Sequence, residues 1–100
     1  MLFRSLVYTG DCGRARDVEP LIVPGDWLLS EVSFGPGPVA AGAMHLDGPA
    51  VGELAASSGV GRVLLTHLQM GFDADATVAS VRARYDGPVE LVHPGSTFTI

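Results

Sequence analysis

The sequence has little cysteine, no lysine and no long apolar run. Cys12 is the only cysteine, which excludes an internal disulfide framework. No apolar run approaches the roughly 20 residues that a membrane-spanning helix needs. The N-terminus lacks the basic region and apolar stretch of a signal peptide. From these absences we expect a cytoplasmic protein.

Basic charge is also scarce. Six arginines face eleven acidic residues, which gives a net charge of −5. The arginines are scattered along the chain, so we do not expect a basic surface that binds the phosphate backbone of a nucleic acid. A nucleic-acid substrate would have to be held by another segment.

Apolar residues are plentiful for so short a chain. They make up 47% of the 100 residues, and the mean hydropathy is +0.33. We expect a single domain over residues 1–100, because this length supports one small core. That core cannot hide all of the apolar surface, so we also expect a surface that meets a partner.

Apolar runs alternate with helical patterns along the chain. The predicted strands cover residues 6–9, 27–34, 62–67 and 89–92, with a short edge strand at 98–100. The predicted helices cover residues 14–23, 47–59 and 73–84. The order β-α-β-α-β-α-β favours right-handed crossovers and an α/β fold with a mostly parallel sheet.

Polar residues suited to chemistry lie at or near the ends of three predicted strands. They are Asp11, Glu31 and His67. In open α/β sheets, functional groups gather at the carboxyl ends of the strands. We therefore expect a site at that edge of the sheet.

Five stretches, in order and nearly end to end, resemble the metallo-β-lactamase superfamily and, within it, hydrolases similar to ribonuclease Z. They are VYTGD at 7–11, LSEVSF at 29–34, HL at 45–46 leading into GELA at 52–55, VLLTHL at 63–68 and PGSTF at 94–98. The resemblance implies the C-terminal half of an αββα sandwich, with helices on one face of the sheet.

The same resemblance implies a two-zinc site. Asp11 would be the carboxylate that bridges the two metal ions, and His67 would be the last histidine ligand. Both residue types suit zinc, which binds carboxylate oxygen and imidazole nitrogen. The alternatives are a turn or capping role for Asp11 and a locally hydrogen-bonded histidine for His67.

Glu31 and His45 form a second implied pair. In ribonuclease Z-like hydrolases, a glutamate orients a histidine that donates a proton to the leaving group, since a carboxylate bound to one ring nitrogen fixes the tautomer. This sequence lacks the histidine that would precede Glu31 and the Ser-Thr that would follow His45. The alternatives are a strand-end carboxylate and a loop histidine.

The main metal motif of the superfamily, His-x-His-x-Asp-His, is absent. The chain has three histidines, and two convincing metal ligands are fewer than the three of most catalytic zinc sites. We therefore expect a hydrolase of phosphodiesters or small molecules, completed by an N-terminal half or by another copy. The alternatives are a non-catalytic, self-associating remnant and a truncated fragment.

Overall fold

Strands and helices alternate along the chain, as predicted. The structure is a computed structural model that describes residues 5–10, 15–37, 46–66, 68, 71–92 and 95. The elements, in order, are β1 (Leu6–Tyr8), α1 (Ala15–Val18), a 3-10 helix (Glu19–Leu21), β2 (Trp27–Glu31), α2 (Gly48–Ser58), β3 (Arg62–Thr66), α3 (Ala74–Arg82) and β4 (Val89–Leu91). The strand predicted at 98–100 lies outside the described residues.

The four strands form one parallel sheet in the order β1-β2-β3-β4. Tyr8 is in register with Leu29, and Glu31 with Thr66. Since all four strands run the same way, their carboxyl ends meet at one edge of the sheet. The predicted α/β class is confirmed.

Helices cover one face of this sheet. Alternate residues of a strand point to opposite faces, and the register aligns one row of apolar side chains across the sheet. The row consists of Val7, Leu28, Val63 and Val89. It belongs to the same apolar cluster as Val51 and Leu54 of α2 and Val81 of α3. The core therefore lies between the sheet and these two helices, as predicted.

The other face of the sheet carries a different set of side chains. Leu6 and Tyr8 of β1 are 44% and 52% exposed. Further across this face, the guanidinium of Arg62 lies 4.9 Å from the ring centroid of Trp27 and pairs with Glu90. Trp27 itself is buried. The exposed apolar side chains of this face are therefore concentrated at β1.

The two longer helices begin where the sequence predicts, and α3 ends two residues before its predicted end, at Arg82. Asp47 caps α2 by accepting a hydrogen bond from the backbone N–H of Ala50 at 2.9 Å, and Gly59 ends the helix. Asp73 caps α3 by accepting from the N–H groups of Asp75 and Ala76. In both helices, an aspartate side chain therefore accepts hydrogen bonds from N–H groups that the first turn leaves without a partner, and this sets where the helix begins.

The first predicted helix is shorter than expected. The pattern predicts a helix over 14–23, whereas α1 ends at Val18 and a 3-10 turn ends at Leu21. Pro20 explains the break, because a proline disfavours the α conformation at the residue before it. Helix breaking by proline therefore prevailed over apolar spacing here.

Asp26 fastens β1 to the start of β2. Its carboxylate accepts hydrogen bonds from the N–H of Val23 at 2.9 Å and from the hydroxyl of Ser5 at 2.7 Å. Both bonds lower the pKa of Asp26 below its usual value, and the bond from Val23 has the larger effect. Asp26 therefore helps to hold the edge strand that leads toward Asp11.

No helix in the part of the chain that the structure describes has both the length and the apolar character required to cross a membrane.

Replacing Asp26 with asparagine should lower stability at neutral pH and flatten its acid dependence. The folded-state pKa lies below that of the unfolded chain, about 3.9. The contribution of the ionised group is therefore complete above that value and is lost as the pH falls through the folded-state pKa. Urea unfolding at pH 7 and at pH 3 measures the difference. The exposed Asp17→Asn is the control, and an equal pH dependence in both variants would contradict this role.

Replacing Gly52 with alanine should destabilise the fold. A Cβ at this position would lie 2.7 Å from the carbonyl oxygen of Val81 and 2.8 Å from the Cβ of Arg84. Overpacking costs about 1–3 kcal/mol, whereas helix propensity alone would favour alanine by about 1 kcal/mol. A lower urea midpoint is expected, with the exposed helix substitution Ser57→Ala as the control. A gain in stability would show that the two helices lie further apart.

Candidate functional site

The carboxyl ends of three strands meet at one edge of the sheet, as the strand order requires. The backbone N–H of Thr9, just after β1, donates to the carbonyl oxygen of Leu29 at 3.0 Å. The N–H of Glu31 donates to the hydroxyl oxygen of Thr9 at 3.2 Å. The N–H of Val32 donates to the carbonyl oxygen of Thr66 at 3.0 Å. These bonds fix the ends of β1, β2 and β3 to one another.

The three strand ends lead toward the predicted metal ligands. Thr9 and Gly10 directly precede Asp11, and Thr66 directly precedes His67. β1 and β3 lie on opposite sides of β2, so these two strand ends are roughly 9–10 Å apart. Asp11, His67 and His45 themselves lie outside the described residues. Their roles therefore stay predictions.

Glu31 is the one predicted site residue that the structure describes, and it lies at the end of β2 as expected. Its side chain is fully buried. One carboxylate oxygen accepts from the N–H of Ser33 at 2.8 Å, and the other from the N–H of Leu46 at 2.5 Å. Glu31 thus binds the backbone on both sides of the segment 34–45, and Leu46 directly follows His45 in the chain.

A tight turn follows Glu31, where the sequence predicted three more strand residues. The prediction of a strand over 27–34 is wrong at its end, since β2 stops at Glu31 and residues 33–36 form a turn. The Glu31 carboxylate takes the N–H of Ser33, and the N–H of Gly35 donates to the carbonyl oxygen of Val32 at 2.9 Å. These local bonds replace the pairing that would have continued the strand.

Glycine is required twice in this turn. Gly35 has a φ of +56°, and a Cβ there would lie 2.7 Å from the ring of Phe72. Gly37 has a φ of +69°, and a Cβ there would collide with the carboxylate of Asp47. Both conformations are left-handed and favour glycine. The turn therefore packs closely against the N-terminus of α2 and against Phe72.

The turn is also bonded to the start of α2. The N–H of Phe34 donates to the carbonyl oxygen of Leu46 at 3.2 Å, and the N–H of Gly48 donates to the carbonyl oxygen of Gly35 at 2.7 Å. The sequence predicted neither these contacts nor the backbone partners of Glu31. No residue type could have revealed them, because a backbone amide has no sequence signature.

The described residues hold no cluster of metal donors. Within residues 5–10, 15–37, 46–66 and 71–92, no three histidine, cysteine, aspartate or glutamate residues lie close enough to hold a metal ion together. All three histidines of the chain fall outside these ranges. The described residues include the strand ends that precede Asp11 and His67, but not these predicted metal ligands themselves.

Comparison with known proteins finds longer relatives. The chain is 35% identical over 96 residues to ML1173, an uncharacterized protein of Mycobacterium leprae (strain TN), and 33% identical over 96 residues to Rv1339, an uncharacterized protein of Mycobacterium tuberculosis (strain ATCC 25618 / H37Rv). Each match covers 96% of this chain but 34% and 35% of the relative. The chain thus spans about a third of the length of these relatives. It matches no protein-family profile.

A solved structure gives the fold. The metallo-β-lactamase fold protein YhfI from Bacillus subtilis superposes with a TM-score of 0.83 at 27% sequence identity. The match covers 91% of this chain and 37% of YhfI. The parallel sheet with helices on one face and this superposition together show that the chain has the metallo-β-lactamase fold, over a segment equivalent to little more than a third of such a protein.

Proposed function

We propose that the chain is part of a metal-dependent hydrolase of the ribonuclease Z and phosphodiesterase type, in which it supplies some of the ligands of a two-zinc site. The observation that supports this proposal is the meeting of three strand ends at one edge of a sheet with the metallo-β-lactamase fold. Two of those ends lead directly to Asp11 and His67. In parallel α/β sheets this edge is where ligands bind.

The proposed donors fit zinc by chemistry, although they do not complete a site. Asp11 offers two carboxylate oxygens and can bridge a pair of cations, and His67 offers an imidazole nitrogen. A catalytic zinc keeps about three protein ligands. The other ligands therefore have to come from a further part of the same fold or from a partner chain.

Each site residue has a separate task in this proposal. Bound zinc supplies Lewis-acid activation of the substrate and of water. Asp11 and His67 hold it at the strand ends. His45 donates a proton to the leaving oxygen, and Glu31 keeps His45 in place. Phosphodiesters are the proposed substrates, because the resemblance is to ribonuclease Z-like hydrolases.

The partner in this proposal is the rest of the fold, whether it belongs to the same protein or to another chain. The exposed Leu6 and Tyr8 support this, since they present apolar surface at the edge strand opposite the helix-covered face. Leu21 and Val23, which follow α1, are also exposed. The match covers only about a third of each longer relative, so the rest of such a protein is long enough to supply this part of the fold.

Removal of either proposed ligand should abolish zinc binding and hydrolysis together. Asp11→Ala and His67→Ala are each expected to lower the zinc content of the completed protein from about two ions per site, and to lower hydrolysis of bis-p-nitrophenyl phosphate by at least about a hundredfold. Zinc is measured by mass spectrometry after gentle purification. Asp17→Ala and His93→Ala are the matched controls. Unchanged zinc content and activity in the ligand variants would refute the assignment.

The exposed apolar surface should make the isolated 100-residue chain associate. Light scattering is expected to give a mass above the 10.4 kDa of one chain. Tyr8→Arg should weaken this association, whereas Ala56→Arg on exposed α2 surface should not. A stable 10.4 kDa monomer would contradict the need for a partner at this surface. Association that persists in Tyr8→Arg would place the contact elsewhere.

A further inference from the structure

The Glu31 carboxylate joins two chain segments that are separated in sequence. Ser33 is two residues away from it and Leu46 is fifteen, and each donates its backbone N–H to a different carboxylate oxygen. Glu31 has no exposed surface, and Ser33 and Leu46 are both buried. A hydrogen bond to a charged group contributes more than one between neutral groups, especially away from water. The carboxylate is therefore a strong connection between the end of β2 and residue 46.

Two further backbone bonds make the same connection. Phe34 donates to Leu46, and Gly48 donates to Gly35. Together with Glu31, they hold residues 33–35 against residues 46–48. The carboxylate bonds differ from these two because Glu31 is itself the last residue of β2. The backbone N–H of Glu31 donates to the hydroxyl oxygen of Thr9, and Glu31 is in register with Thr66. Glu31 therefore fixes the position of Leu46 relative to the ends of the strands.

We propose that Glu31 is a positioning residue that acts through the backbone. By binding the N–H of Leu46, it sets where the chain passes from His45 into α2, whether or not it also contacts the imidazole. The ribonuclease Z-like pairing places the effect of this glutamate on the histidine ring, and the bond to Leu46 adds an effect on the peptide that follows the histidine. The consequence for catalysis rests on the proposed function, but the backbone connection does not.

Amide hydrogen exchange tests the backbone connection directly. Glu31→Gln should speed exchange of the Leu46 amide by about ten- to a hundredfold, since the Leu46 N–H then meets either a neutral amide oxygen or an NH2 group that cannot accept a hydrogen bond. The factor should be the same when His45→Ala is the background. The exposed Glu53→Gln is the control and should leave the Leu46 amide unchanged. An unaltered Leu46 amide in Glu31→Gln, or an effect that disappears in His45→Ala, would overturn the proposal.

Glu31→Asp distinguishes the bond from Ser33 from the bond from Leu46. It also replaces Glu31→Gln as the test if the glutamine variant does not fold. Aspartate readily bonds the backbone two residues further on, so the Ser33 amide should stay protected. The side chain is one methylene shorter, so the Leu46 amide should lose protection. Equal loss at both amides would show general unfolding near β2 and would count against a specific role at Leu46.

Kinetics of the completed, zinc-loaded protein test whether the connection serves His45. With bis-p-nitrophenyl phosphate, Glu31→Asp should lower kcat about tenfold or more and leave KM within about twofold, because it displaces a proton donor and not the substrate. In the His45→Ala background it should lower kcat no further. If Glu31→Asp lowers kcat by the same factor in the His45→Ala background, the proposal that Glu31 positions His45 is wrong. If His45→Ala itself leaves kcat unchanged, the proposed role of His45 fails, while the exchange result still decides the backbone connection.

Discussion

The parallel pairing of β1 and β3 with the two sides of β2 is the constraint on which the site depends. Parallel strands bring their carboxyl ends to one edge, and short polar contacts lock these ends together. The hydroxyl of Thr9 accepts from the N–H of Glu31, and the carbonyl of Thr66 accepts from Val32. A shift of one residue in either pairing would turn alternate side chains to the opposite face and separate Glu31 from the turn that it binds.

Burial of Glu31 adds a second constraint, because a buried carboxylate is costly unless its oxygens are satisfied. The N–H groups of Ser33 and Leu46 satisfy them. The same two bonds end β2 and fix the start of α2 against the turn. One side chain thus links strand termination, turn geometry and helix placement, so these three features of the chain depend on one another.

Much of the fold was predictable because local chemistry determined it. Asp47, Pro49 and Gly59 mark the limits of α2, and continuous apolar runs mark the strands of a buried parallel sheet. The end of β2 was not predictable, since it depends on a bond from Ser33 to a side chain rather than on strand propensity. The site could be predicted only as residue types at strand ends. The proposed metal ligands lie outside the described residues, and the backbone partners of Glu31 leave no mark in the sequence.

The stacking of Arg62 on Trp27 has a consequence for observing the molecule. Trp27 is the only tryptophan of the chain, it is buried, and its ring lies beneath a guanidinium on the face of the sheet opposite the helices. Indole emission responds to solvent contact and to nearby charge, so the whole fluorescence of tryptophan in this chain comes from that one face. The molecule therefore carries an intrinsic optical reporter of whatever comes to rest there.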